Sequence, residues 1–166
     1  MIWERANREL IAKLLTELEF EELLHPVEGE EWTLSLDGSL ALHYTAERRS
    51  MGHARVDSSS LRATCDGVSV PLPDAVEVVA LGAPALGVDP STTAGLIGEI
   101  SSTLLSDAHQ LAHGRPASEL IDLGALELEG ELRGHPWIVA SKGRVGFSAD
   151  DSARFAPESQ EPVGVL

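Results

Sequence analysis

The chain has little with which to cross-link itself. Cys65 is its one cysteine, so an internal disulfide and any multi-cysteine zinc site are excluded. Aromatics are scarce, with three Trp, one Tyr and three Phe in 166 residues, which leaves packing to aliphatic side chains. Positive charge is scarcer still. Twelve Lys and Arg face 27 Asp and Glu, a formal charge of -15, and phosphate would be repelled over most of such a surface. That excludes a general nucleic-acid or anionic-membrane binder. No run approaches the ~20 apolar residues that span a bilayer. The opening MIWERANREL puts charges where a signal peptide needs an apolar core, so the expected location is cytoplasmic. At 43% hydrophobic the chain can nonetheless bury a core, as one domain or as part of something longer.

What is present is patterned. Leu10, Ile11, Leu14, Leu15 and Leu18 recur at helical spacing and predict an amphipathic helix over 3–24, closed by Pro26. The period then changes to two. Trp32, Leu34 and Leu36 alternate up to Asp37-Gly38, and Leu40, Leu42 and Tyr44 alternate after it, which predicts a β-hairpin. A third strand is expected near 53–61 and a fourth near 68–72, after Asp66-Gly67, giving a small antiparallel sheet. Residues 76–81 suit either a short helix or a strand. Asp89-Pro90 reads as an acidic N-cap with proline at the first helical position, and His113-Gly114 as the stop of that helix. A further helix is expected over 117–133, ending at Gly134. The fold class is α+β: an N-terminal helix and small sheet over 1–72, a mainly helical part over 73–133, and a Gly-rich basic loop and strand over 134–166.

Most candidate chemistry is weak. His109 and His113 stand at i, i+4 and could share a metal, but two histidines near a helix C-terminus need no metal to explain them. Cys65 lacks the flanking cations that activate a thiol, Arg62 being the nearest in sequence. Glu127, Glu129 and Glu131 read most simply as a solvated helix face. No metal site and no catalytic side chain are assigned. Residues 134–147, GHPWIVASKGRVGF, differ: from Arg133 to Ala149 there are three cations and no carboxylate. On an extended strand, Lys142 and Arg144 would point to one face and grip phosphate or carboxylate. They would equally serve to pair with the chain's own surplus carboxylates.

The stretch GHPWIVASKGRVGF followed by SADDSARFAPE resembles the signature of the IucA/IucC family, the NRPS-independent siderophore synthetases. The resemblance rests on Gly134, His135, Pro136, Lys142, Arg144, Gly146, Phe147 and Ser148, then Asp151 and the run Phe155, Ala156, Pro157, Glu158. It implies the N-terminal region of an ATP-dependent ligase, using ATP and Mg2+. Such a ligase adenylates a citrate-like carboxylate and passes it to an amine or hydroxyl. Lys142 would then neutralise an ATP phosphate, and Arg144 would hold phosphate or carboxylate. His135 would orient the loop or touch substrate, and Ser148 would donate a hydrogen bond or cap the next turn. Gly134, Gly143 and Gly146 would shape the loop. The partners implied are small molecules, with no nucleic acid and no membrane, and a homodimer in the longer enzyme. Ile138-Val139 stands where the family has a second His-Pro, which puts the acid substrate in question. Family members run to several hundred residues, so the chain is expected to be an N-terminal fragment; the competing expectation is a truncated, non-catalytic binding protein.

Overall fold

Leu10, Ile11, Leu14 and Leu15 are buried on one face of α1 (Ile2–Phe20), against which the sheet and the later helices pack. The computed structural model describes residues 1–144 and 146–159. The helix stops four residues before the expected end. Glu22 takes a left-handed conformation (φ 59°), and the amides of Leu23 and Leu24 turn back to the Leu18 carbonyl at 2.8 and 3.1 Å. The apolar pattern therefore outlasts the helix by design of its C-terminal turn.

The sheet has strand order β1-β2-β5-β6, all antiparallel. β1 (Trp32–Ser35) pairs with β2 (Leu40–Tyr44) in the register Trp32 to Tyr44 and Leu34 to Leu42, which puts all four side chains on the buried face. Asp37 shapes the connection, accepting the Ser39 and Leu40 amides at 3.0 and 2.8 Å. β3 (Ala46–Arg48) and β4 (Ala54–Val56) form a separate two-stranded hairpin, so the third expected strand is much shorter and lies outside the main sheet. β5 (Arg62–Cys65) takes its place beside β2, and Asp66-Gly67, both at positive φ, turns it into β6 (Val68–Val70). β5 escaped the pattern reading because its inward residue is Ala63, too small to mark a hydrophobic alternation.

The ambiguous stretch is helical: α2 (Ala75–Gly82) starts in a reciprocal cap in which Asp74 accepts the Glu77 amide (2.8 Å) and Glu77 accepts the Asp74 amide (3.1 Å). Asn7 ties this start to α1. Buried Asn7 donates to the Pro73 carbonyl at 3.3 Å and accepts the Ala75 amide at 2.8 Å. Asn7→Ala is expected to destabilise the fold by about 1–2 kcal/mol, read as a lower urea midpoint at unchanged m-value, because two buried backbone groups lose their partner.

α3 (Pro90–His113) begins as expected, with Asp89 accepting the Ser91 and Thr92 amides at 2.9 and 3.1 Å, and it packs on α1 and α2. The helix expected over 117–133 is instead two short ones, α4 (Ala117–Leu120) and α5 (Ala125–Glu131), broken before Gly124. Gln110 of α3 donates to the carbonyls of Gly130 (3.2 Å) and Leu132 (2.9 Å), which holds the chain extended at Leu132 where the helix would have continued. α6 (Ala149–Phe155) and a 3-10 turn at Pro157–Ser159 complete the described part. No helix among the described residues is long and apolar enough to cross a membrane.

Candidate functional site

One face of α3 carries a polar ridge set within its apolar stripe: Ser102, Thr103, Ser106, Asp107 and Gln110. This ridge is the seat of the signature segment. Thr103 Oγ1 accepts the Lys142 amide at 3.3 Å; Ser102 Oγ donates to the Lys142 carbonyl at 3.2 Å and accepts the Arg144 amide at 3.3 Å. These side chains satisfy backbone groups that an adjacent strand would otherwise have to pair. Among the described residues, 134–148 accordingly form turns and coil, not the expected strand. The ridge went unnoticed in the sequence. Its signal is there, as polar residues at i, i+1, i+4, i+5 and i+8 beside the buried Ile100 and Leu104.

Lys142 and Arg144 converge, but through a shared carboxylate and not through strand alternation. Arg144 Nη1 and Nη2 meet the two oxygens of Glu158 at 2.7 and 2.8 Å, and Lys142 Nζ lies 3.5 Å from the same carboxylate. Ser106 Oγ donates to it as well. The Glu158 side chain is only 4% exposed. Burial alone would raise its carboxyl, yet the hydrogen bonds from Arg144 and Ser106 and the charge of Lys142 outweigh burial and hold it down to about 2. Two cations face one carboxylate, so this trio keeps one positive charge in an acidic molecule. Asp107, one helical turn away, is buried with its Oδ1 unpaired and Arg133 at 3.9 Å from Oδ2. Burial raises its carboxyl against the pull of Arg133, Lys13 and Lys142.

Arg144 also lines a groove of about 460 Å³, together with Gly146, Phe147 and Ser148 and the small residues Gly95 and Gly98 of α3. Ser148 is the N-cap of α6, its hydroxyl accepting the Asp151 amide at 3.1 Å and donating to Asp151 Oδ2 at 2.6 Å. Of its two expected roles, capping is therefore the one the geometry displays. Gly143 packs against α3 so closely that a Cβ would stand 2.9 Å from that of Glu99. Gly134 (φ 82°) needs its left-handed turn, and Gly146 (φ 84°) faces open space.

His135 lies on the other side of the segment, against α1. Its carbonyl accepts Lys13 Nζ at 2.7 Å and its Nδ1 accepts the Trp137 amide at 3.1 Å, so it shapes a turn. Trp137 then packs on His53 (ring centroids 4.2 Å apart), which stacks on Phe20 at 3.5 Å and 8°. Ile138 is exposed, whereas Val139 packs on the core. His109 and His113 sit ring to ring at 4.7 Å, and among the described residues no group of three or more His, Cys, Asp or Glu could hold a metal.

This arrangement of helix, small sheet and ridge-seated loop is a fold found within siderophore synthetases. It superposes on the aerobactin synthetase IucC from a hypervirulent pathotype of Klebsiella pneumoniae with a TM-score of 0.80 at 32% identity, over 95% of this chain and 29% of that one. The ATP-bound aerobactin synthetase IucA from a pathotype of the same species shares the fold at a TM-score of 0.60 and 18% identity, over 95% of this chain and 29% of that one. In sequence, the rhizobactin siderophore biosynthesis protein RhbF of Rhizobium meliloti (strain 1021) is 35% identical over 167 residues, covering 99% of this chain and 28% of that protein. Residues 124–166 match the model of the IucA / IucC family. The chain belongs to that family, and it spans a little over a quarter of the length of the curated relatives it matches.

Proposed function

We propose that the chain forms the nucleotide-contacting N-terminal part of a siderophore synthetase. In this reading a citrate-like carboxylate attacks the α-phosphate of ATP, giving an acyl-adenylate and pyrophosphate. An amine or hydroxyl then attacks the acyl carbon and releases AMP. The observation that carries the proposal is the convergence of Lys142 and Arg144 within the family signature, beside the groove that Arg144 and Ser148 line. Two anions must meet for adenylation, and a pre-positioned cation lowers the cost of bringing them together. Glu158 occupies one edge of the Arg144 guanidinium, leaving its remaining N–H donors for phosphate or carboxylate. His135 acts by fixing the turn, and Gly143 lets the loop lie close to α3. The described residues offer no cluster fit for Mg2+, so no step is assigned to an ion held by this chain. A homodimer and a cytoplasmic location belong to the same proposal.

The test is ATP–pyrophosphate exchange in a polypeptide that carries this chain together with the remaining family regions. Lys142→Ala and Arg144→Ala are each expected to lower the citrate-dependent rate by about 100-fold or more. Unchanged rates in both variants would sink the assignment. The pairing of both cations with Glu158 favours one second reading, a binding protein of the family without turnover, in which the trio is purely structural.

A further inference from the structure

The last turn of α3 and the end of α5 wall a cleft of about 310 Å³. His109 and His113 both line it, and their i, i+4 spacing puts the two rings on one side of the helix. Among the described residues the rings meet each other, their centres 4.7 Å apart and their planes at 46°. Gln110 lines the same cleft and is 8% exposed. Its Nε2 donates to the carbonyls of Gly130 and Leu132, whereas its Oε1 is buried with no donor among the described residues. A buried acceptor without a donor is costly, so this one points to a ligand that brings a donor. The carboxylates at the cleft are engaged elsewhere. Glu131 pairs with Arg115 at 3.3 Å, and Glu158 accepts from Arg144 and Ser106. What the cleft offers is therefore two imidazoles and one amide oxygen, at the carbonyl end of a helix, where the aligned peptide dipoles favour positive charge.

We propose that His109 and His113 bind one divalent transition-metal ion of the zinc, nickel or copper class, through one ring nitrogen each. A water on the ion donates to Gln110 Oε1, which supplies the missing partner. Two imidazoles on one tetrahedral ion, each nitrogen about 2.1 Å from the metal, stand with ring centres about 5 Å apart. The observed 4.7 Å is close to that, so a small side-chain adjustment suffices. Imidazole selects these ions over magnesium and calcium, which take oxygen ligands. Two protein nitrogens are half the ligand set of a structural zinc site, and half of its binding free energy corresponds to a Kd on the order of 10 μM. Through its water the ion braces the contact in which Gln110 holds the end of α5. Nothing here depends on the nucleotide reading, because the residues are different ones. Failure of ATP–pyrophosphate exchange leaves the metal site standing, and its own failure leaves the exchange prediction untouched.

The experiment is titration of the 166-residue chain with Zn2+ against a chromophoric chelator, followed by NMR of the imidazole nitrogens. One Zn2+ per chain is expected, with the signals of His109 and His113 shifting and those of His25, His43, His53 and His135 staying in place. His109→Asn and His113→Asn are each expected to weaken Zn2+ by at least about tenfold, because either change breaks the chelate. His113 is exposed, so its variant reports on the ion even if His109→Asn perturbs the helix. Magnesium at about 10 mM is expected to leave Zn2+ binding unchanged. Any of three results overturns the proposal: no saturable Zn2+ binding below about 1 mM, a folded His113→Asn chain with wild-type affinity, or displacement of Zn2+ by magnesium.

Discussion

Glu158→Ala is expected to destabilise the chain by about 3–5 kcal/mol, the largest effect of any single substitution outside the apolar core. The reason is what remains behind. Arg144 and Lys142 are 19% and 10% exposed, so removing the carboxylate strands two buried cations beside each other. A urea titration measures the loss, and Glu158→Gln should fall between, since the amide oxygen still accepts one bond from Arg144. A loss below about 1 kcal/mol would mean that water already reaches the trio. The same carboxylate sets an acid limit. Its folded pKa of about 2 lies below the unfolded value of roughly 4.3, so its contribution is fully present above the unfolded value. That contribution, about 3 kcal/mol, is lost as the pH falls from there through about 2. Stability measured over this window should drop with acid in the wild type and much less in Glu158→Gln.

The second large effect is expected at Gly134, where alanine should cost about 2–4 kcal/mol. Its φ of 82° is a conformation that an L side chain adopts only under strain, and an added Cβ would lie 2.5 Å from Ser141 Oγ. Relief requires Ser141 to move, and Ser141 is one of the two groups that hold Lys13. Gly146→Ala is the informative control: a similar φ of 84° but nothing within 4 Å of the new Cβ. Urea midpoints for the two variants separate backbone strain from collision, and equal losses would show that the contact with Ser141 contributes nothing.

The apolar periodicities that place α1, the β1–β2 pair and α3 are strong because each has one buried face, so these elements were legible from spacing alone. The α2 start was equally written, as Asp74 and Glu77 three residues apart, although the pattern of 76–81 left helix and strand open. What spacing did not reveal depends on partners distant in the chain. The helix expected over 117–133 stops short of its end because Gln110 claims the carbonyls of Gly130 and Leu132, and the strand at Lys142 and Arg144 fails because Ser102 and Thr103 supply the pairing. At the site, residue identity was legible and company was not. Lys142 and Arg144 stand in a recognisable signature, and pairing with the chain's own carboxylates was one of their two expected uses, but no local pattern singles out Glu158 or Ser106 as the partners.

The ties between α1 and the signature segment span 122 to 128 residues of chain, from Lys13 to His135 and Ser141. On a ribosome adding about 5–20 residues per second, α1 therefore waits roughly 6–25 s before the groups it holds have been made. During that interval its polar wall has no turn to dock, and the nascent helix depends on the sheet and on α2 to cover its apolar face. Synthesis order thus makes the signature segment a later piece than α1, the sheet and α3, and a chain interrupted before Gly134 would present Glu9, Lys13 and Glu17 to whatever else is nearby.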